Sequence, residues 1–436
     1  MKNIAKLLIK SVLFMLPLLV IYLYIWTNPM AFMDEEIPHY LWNKEKVNTS
    51  EERCYDTIIL GDSIANAAYM PELLSESTIN LSLGGMTPAE NYYILQEWLL
   101  HHPAPEVCYI SFQDAHFLVD DCFWSRTMYT HRFVRQQSLE IIRTAEAYRE
   151  HSILTDTYWL DFLSYELRLP NKYMASFLNG GFNQRYESNK EEQRLDELHG
   201  GRYIARDAKG FDGGHKVVLD EFYVNPFFED YYRKLIGLCV DQGIQVRLVK
   251  LPHPENVSFT EEYIAQFQEY YEILKKDYPG ITVDWIPTYQ KECFVDENHL
   301  SNYGALCFSS EIRRLYPQDF SDAPLNEQQV AAVNDSISYV RRGEELFDWI
   351  AGRDYTLFLR DEEGVYSVSG LNHRKGQEEV CILENGLTMQ REAAGEWKWG
   401  DPEMGDVTMV VMDNYNQEVI YQQSFWRETD TYLLAE

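Results

Sequence analysis

The chain has 436 residues and carries 69 acidic against 38 basic side chains, which gives a formal net charge of −31. This acidity argues against nucleic acid or an anionic lipid surface as a partner of the globular part, because both would repel it. Hydrophobic residues make up 45% of the chain, enough for a packed core, and the length allows two or three domains. Its seven cysteines form no CxxC or Cys/His metal spacing, so we expect neither a metal site nor a disulfide framework.

The N-terminus predicts a membrane anchor. Lys2, Lys6 and Lys10 lead into an apolar stretch over residues 7–26, and a helix of that length rises about 30 Å, the thickness of a bilayer core. Basic residues before the stretch and acidic residues at 34–36 place the N-terminus in the cytoplasm and the bulk outside. A cleaved signal peptide is the alternative, but residues 27–30 fit a cleavage site poorly. We expect an uncleaved single-pass anchor over residues 1–27, a polar linker over 28–52 and an extracytoplasmic globular part.

Apolar strand-like runs then alternate with segments of helical spacing. The runs predict five strands, at residues 55–60, 78–83, 107–112, 244–251 and 281–286. The segments between and after them predict helices at residues 88–101, 227–242, 263–278 and 302–315. Strands separated by helices with short connections indicate a parallel sheet covered on both faces. We therefore expect an α/β domain with a five-stranded parallel sheet over residues 53–322.

An insertion over residues 113–224 interrupts this alternation. It is rich in Tyr, Arg and Glu and contains three Gly-Gly pairs. Long insertions at the carboxyl ends of parallel strands commonly shape a ligand cleft. A surface that docks a partner is an equally open interpretation.

The last part of the chain, residues 323–436, has a different pattern. A polar segment at 326–347 predicts a helix. Short β-type runs separated by turn residues follow, at residues 355–359, 365–368, 379–383, 407–412 and 418–425. This pattern is typical of a small antiparallel β domain.

Three short segments suggest a chemistry. Gly61-Asp62-Ser63 follows the first apolar run, residues 80–85 read Asn-Leu-Ser-Leu-Gly-Gly, and Asp296-x-x-His299 comes near the end of the α/β region. A serine at a strand end can be held rigidly and still meet solvent. A histidine three residues after an aspartate can act as its base while the aspartate orients the ring.

Each segment also has an ordinary interpretation. A Gly-Asp turn commonly ends a strand, Gly84-Gly85 can be a tight turn, Asp296 can cap a helix and His299 can be a surface residue. Their order and context favour a site, because all three follow predicted strands, at the edge where open α/β sheets bind ligands.

These motifs resemble the SGNH (GDSL-like) hydrolase superfamily, specifically its membrane-anchored bacterial members associated with polysaccharide O-acetylation. The resemblance covers roughly residues 54–316 and implies a flavodoxin-like three-layer fold. It implies Ser63 as the nucleophile, His299 as the base and Asp296 as the carboxylate that orients it. An oxyanion hole would then come from the backbone N–H groups of Ser63 and Gly84, or less favourably Gly85.

The chain departs from the family at the third block, Gly-x-Asn-Asp, where it reads Ser111-Phe112-Gln113-Asp114. Gln113 keeps a side-chain amide that can be the third oxyanion donor, but it is one methylene longer than Asn. Either Gln113 fills the role with a shifted geometry, or the enzyme is slow, or it needs a partner or a specific substrate. Loss of one oxyanion donor costs about 3–4 kcal/mol in the transition state. We also consider five candidate substrate-binding residues: Asp62, Gly85, Asp114, His116 and His253. For His116 and His253 a structural role is the favoured interpretation.

The resulting prediction is a serine-dependent esterase or O-acyltransferase that acts on a cell-envelope polysaccharide through an acyl-Ser63 intermediate. The chemistry needs no cofactor and no metal. The resemblance also implies pairing with a multispanning membrane acyltransferase. The alternative is a non-catalytic adaptor that uses the same fold to bind glycan or a membrane partner.

Overall fold

A computed structural model describes residues 2–50, 54–75, 77–169, 182–203, 214–286, 288–289 and 291–320, together with the backbone of eight strands nearer the C-terminus. Before residue 321 it contains the strands β1 Thr57–Gly61, β2 Thr78–Asn80, β3 Val107–Ser111, β4 Val217–Leu219, β5 Gln245–Lys250, β6 Val257–Phe259 and β7 Thr282–Trp285. Five of these form a parallel sheet in the order β2-β1-β3-β5-β7. The predicted α/β fold with a five-stranded parallel sheet is confirmed. Strands β4 and β6, which the sequence analysis missed, pair separately and in parallel.

Twelve α-helices occur in the part of the chain that the structure describes. They are α1 Lys2–Thr27, α2 Pro29–Phe32, α3 Ile37–Asn48, α4 Ser63–Ala68, α5 Pro71–Leu74, α6 Pro88–His101, α7 Arg135–Tyr148, α8 Tyr158–Glu166, α9 Phe182–Leu198, α10 Pro226–Asp241, α11 Glu261–Asp277 and α12 Asn302–Leu315. The four helices predicted from spacing correspond to α6, α10, α11 and α12. Their starts follow from capping: Thr87 and Glu90 form a capping box on α6, and Asn225, Thr260 and Ser301 cap the other three.

The centre of the sheet is completely buried. Every residue of β1 and β3 is buried, and the two strands pair in register from Thr57 opposite Val107 to Gly61 opposite Ser111. Helix α6 contacts both α3 and α10, and α12 contacts α4 and α5. Because β1 and β3 end at the same level, the residues that follow them, 62–63 and 112–114, lie at one edge of the sheet.

The segment predicted to be a polar linker, residues 28–52, contains two helices. Helices α2 and α3 occupy most of it, and α3 packs into the main core through Ile37, Tyr40 and Val47. The side-chain amide of Asn43 donates to the carbonyl of Leu81 at 2.8 Å. The buried face of α3 includes polar residues, so its composition resembles that of a linker although its packing is that of a core helix.

The insertion over 113–224 contains helices α7, α8 and α9 and strand β4, and it is part of the body of the protein. Helix α9 contacts α2 and α3. Arg132, whose side chain is completely buried, donates to Glu97 on α6 at 2.7 Å and to Asn43 on α3 at 2.8 Å. These buried contacts attach the insertion to both the N-terminal helices and the sheet layer.

The C-terminal part contains an eight-stranded antiparallel sheet. Its strands are β8 Tyr355–Arg360, β9 Val365–Asn372, β10 Val380–Leu383, β11 Thr388–Arg391, β12 Trp397–Trp399, β13 Val407–Asp413, β14 Val419–Arg427 and β15 Tyr432–Leu434. They pair in the order β12-β11-β10-β9-β8-β13-β14-β15. Five of them overlap the predicted runs, while β11, β12 and β15 are short and were missed. The predicted helix at 326–347 lies outside the described residues, and the proposed domain boundaries stay a prediction.

In the part of the chain that the structure describes, no helix is both long enough and apolar enough to cross a membrane. Several side chains in the first half of α1 lie outside that part.

Candidate active site

Ser63 is presented by a sharp turn between β1 and α4. A Cβ on Gly61 would lie 2.1 Å from the carbonyl oxygen of Ser111, so this close strand approach requires glycine. Asp62 then caps α4, since its Oδ1 accepts the backbone N–H of Ile64 at 3.0 Å. Ser63 is the first residue of α4, where backbone N–H groups point outward and favour negative charge.

Ser63, His299 and Asp296 form a continuous hydrogen-bonded chain. The carboxylate of Asp296 accepts from Nδ1 of His299 at 2.8 Å. Because Nδ1 carries the proton, Nε2 accepts the hydroxyl of Ser63, and that distance is also 2.8 Å. Oδ1 of Asp296 additionally accepts the backbone N–H groups of Asn298 and His299, at 2.8 and 2.7 Å. This arrangement orients a general base toward a serine hydroxyl.

Asp296 makes the imidazole of His299 a stronger base. Burial lowers the pKa of His299, but the hydrogen bond and charge of Asp296 outweigh it, so the net effect is a raised pKa. For Asp296, burial favours the neutral acid, yet hydrogen bonds from His299 and the backbone keep its pKa lowered. The carboxylate therefore stays charged and stabilises the imidazolium that forms when His299 takes a proton.

The glycine pair lies beside Ser63. A Cβ built on Gly84 would be 4.0 Å from Cβ of Ser63. The carbonyl oxygen of Gly84 accepts a hydrogen bond from the hydroxyl of Tyr40 at 2.7 Å. Gly85 has a φ of +74°, and a Cβ there would lie 2.5 Å from Cys122. Both the backbone conformation and the space therefore require glycine at position 85.

The side chain of Gln113 is directed at His116. Its side-chain nitrogen lies 3.2 Å from Nε2 of His116, and it lines a second, small cavity with His253 and Lys250. Its backbone N–H donates to Oδ2 of Asp62 at 2.8 Å. The expected third oxyanion donor is therefore directed at His116 in this structure, because the longer side chain folds back over the ring.

Three of the candidate substrate-binding residues, Asp62, His116 and Asp114, have polar partners within the protein. Asp62 is completely buried, and its Oδ2 also accepts from Nδ1 of His116 at 2.7 Å. Asp114 pairs with Lys250 at 2.7 Å and accepts the hydroxyl of Tyr263 at 2.5 Å. His253 borders the small cavity, where burial and then the charge of Lys250 lower its pKa to about 4. Of the five candidates, Gly85 alone lines the cavity at Ser63.

A cavity with a volume of about 230 Å³ opens onto Ser63 and His299. Gly84 and Gly85 form part of its lining. The remaining wall residues were not named as site residues in the sequence analysis: Glu36, His39, Asn66, Cys122, Arg126 and Tyr203. Three of these belong to the insertion, which was expected to shape a cleft, and two to the segment taken for a linker.

Three charged pairs support this wall. Nδ1 of His39 donates to both carboxylate oxygens of Asp196, at 2.8 and 2.9 Å. Arg126 contacts Glu36 at 3.3 Å and Asp34 at 3.6 Å. Burial opposes a charge on His39, but the hydrogen bonds and charge of Asp196 raise its pKa to about 9. Among the described residues there is no group of three or more His, Cys, Asp or Glu side chains placed to bind a metal ion.

Comparison with known proteins adds little. No family model and no curated protein matches the chain. A solved structure from Streptococcus pneumonia, provisionally described as a platelet activating factor, aligns with a TM-score of 0.29 at 12% identity. That alignment covers 69% of this chain and 98% of the other. So distant a similarity does not indicate an activity.

Proposed function

We propose that the protein is a serine esterase or O-acyltransferase of the SGNH type, acting through an acyl-Ser63 intermediate. The observation that carries this proposal is the chain of hydrogen bonds from Asp296 through His299 to Ser63 at the floor of an open cavity. Buried serine–histidine contacts can be structural, but this serine is at the carboxyl end of a central parallel strand, where α/β sheets bind ligands.

In the proposed mechanism, His299 removes the proton of Ser63 as the hydroxyl oxygen attacks an ester carbonyl. Backbone N–H groups of Ser63 and Gly84 would stabilise the oxyanion, and His299 would then protonate the leaving alcohol. The acyl-serine passes its acyl group to water in an esterase, or to a sugar hydroxyl in a transferase. The same residues serve both directions.

We propose a cell-envelope polysaccharide as the substrate and an extracytoplasmic location for the site. Ten large apolar side chains of α1 between Leu13 and Tyr24 are each at least half exposed. Such a surface is costly in water and favourable in lipid. A multispanning membrane acyltransferase that delivers the acyl group would then be the natural partner. Fractionation of cells with alkaline carbonate tests the location, since an anchored chain stays in the pellet.

The adaptor alternative has one observation in its favour. Gln113 is directed at His116 and lines the small cavity, so the oxyanion hole has two backbone donors and lacks the side-chain donor of the family. A protein that only binds glycan would tolerate this arrangement.

The deciding experiment measures acetate release and acetyl transfer by the full-length protein, with acetylated and unacetylated polysaccharide. Ser63→Ala should abolish both reactions, whereas Ser50→Ala, which changes an exposed serine after α3, should retain them. Polysaccharide binding without turnover, equal in wild type and Ser63→Ala, would instead support the adaptor.

A further inference from the structure

A second histidine–aspartate pair borders the cavity that contains Ser63. His39 on α3 lines the cavity, and Asp196 on α9 holds its Nδ1 with two hydrogen bonds. Asp196 is 1% exposed and His39 is 8% exposed. A buried charged pair of this kind costs several kcal/mol in desolvation, and a hydrophobic pair of the same shape would often be at least as stable. Packing alone therefore does not explain why a charged pair and not a hydrophobic pair occupies these two positions.

The geometry leaves His39 with one ring nitrogen for a ligand. Because Asp196 engages Nδ1, Nε2 is the nitrogen that can meet a molecule in the cavity. Tyr203, another cavity residue, packs edge-to-face against the imidazole at a centroid distance of 5.6 Å and restrains its rotation. The elevated pKa of His39, about 9, keeps Nε2 protonated near neutral pH, so it presents a fixed hydrogen-bond donor.

Neighbouring groups make this wall suited to hydroxyl groups. Glu36 offers acceptor oxygens and Arg126 offers donors, and both line the cavity beside His39. Arg126 contacts both Glu36 and Asp34, so carboxylates outnumber guanidinium groups at this wall. An anionic ligand would meet the carboxylate of Glu36, whereas neighbouring hydroxyls can donate to Glu36 and accept from His39. Alternating donors and acceptors of this kind match a sugar better than a carboxylate or phosphate.

We propose that His39, held by Asp196, binds the acyl acceptor, and that this acceptor is an uncharged sugar hydroxyl. The inference rests on the proposed function and makes it more specific, because a subsite for a second substrate favours transfer over hydrolysis. In the transfer step the sugar oxygen attacks the acyl carbonyl while His299 takes the hydroxyl proton. The bond from the acyl carbon to Oγ of Ser63 breaks, and His299 returns the proton to Oγ. Electrons and protons balance without a further reactant.

The test uses full-length protein with p-nitrophenyl acetate as the acyl donor and xylopentaose or chitopentaose as acceptors. In His39→Gln the KM for the sugar should rise about 10- to 100-fold, the loss expected for one charge-assisted hydrogen bond. In the same variant the ratio of acetyl transfer to acetate release should fall. The fold-change of this ratio should exceed the fold-change of the KM for the acyl donor. Asp196→Asn should shift both quantities in the same direction. His151→Gln, at an exposed position, should keep the wild-type ratio.

A binding measurement separates this inference from the proposed function. Ser63→Ala cannot form an acyl-enzyme, so saturation-transfer NMR with the same sugars reports the subsite alone. Binding by Ser63→Ala that is lost in Ser63→Ala/His39→Gln supports the acceptor site, even if the wild type turned over no ester. Equal sugar binding with and without His39, or an unchanged transfer-to-release ratio in His39→Gln, would overturn it. Thermal melting of each variant checks that it is folded.

Discussion

Asp62 should stabilise the fold around the active site and should not bind the substrate. The substitution Asp62→Asn tests this. The buried carboxylate of Asp62 accepts the N–H of Ile64 through one oxygen, and the N–H groups of Gln113 and His116 through the other. Asparagine can still cap α4, but its NH2 group then faces the backbone N–H of Gln113. If the side-chain amide is rotated by about 180°, the hydrogen bond that caps α4 is lost instead.

The size of the effect follows from these contacts. A backbone N–H left without an acceptor costs about 1–3 kcal/mol, and replacing a charge-assisted bond to His116 with a neutral one costs about 1 kcal/mol more. We expect Asp62→Asn to lower the free energy of unfolding by about 2–4 kcal/mol. Asp156→Asn, at an exposed position, should change it by less than about 0.5 kcal/mol.

The free energy of unfolding that is lost in Asp62→Asn should also depend on pH. Burial lowers the pKa of His116, but its hydrogen bond and ion pair with Asp62 raise it overall. Stability from a group with a raised folded pKa is fully present below the unfolded value of about 6.5 and is lost as pH rises through the folded pKa. The His116 part of the penalty should therefore be largest near pH 6 and shrink at alkaline pH.

Urea unfolding followed by tryptophan fluorescence, at pH 6 and pH 9, measures both effects. A fall of less than about 1 kcal/mol together with a large rise in KM would refute the reasoning, because Asp62 would then act on the substrate.

Two further predictions concern the site. Asp296→Asn should lower kcat by roughly 10²–10⁴-fold, because the ring of His299 loses the partner that fixes its tautomer. It should also move the acidic limb of the kcat/KM profile to lower pH, since Asp296 holds the pKa of His299 raised; an unmoved limb would contradict this. Gln113→Ala should change kcat by less than about threefold, because the side chain is directed at His116. A loss of about 10²–10³-fold would show that it is an oxyanion donor during turnover.

The sheet could be predicted because strands buried on both faces give continuous apolar runs. Residues 57–60 and 107–110 are such runs, and their ends locate the edge at which Ser63 lies. The Asp296-x-x-His299 spacing was equally informative, because it is local: the carboxylate binds the ring and the backbone of its own loop.

The wall of the cavity could not be predicted. His39 and Asp196 are 157 positions apart, and each belongs to a segment whose polar composition resembles a surface. The pairing arises from the packing of α9 against α3, which is a tertiary contact with no local signal. The direction of Gln113 likewise depends on His116, whose position is set by Asp62.

The most direct test of the central claim is whether Ser63 is an activated nucleophile. Full-length protein should react with a fluorophosphonate probe, and peptide mapping should find one equivalent on Ser63. His299→Ala should react far more slowly, and Ser63→Ala should not be labelled. Absence of labelling in the wild type, or labelling that Ser63→Ala leaves unchanged, would contradict the account.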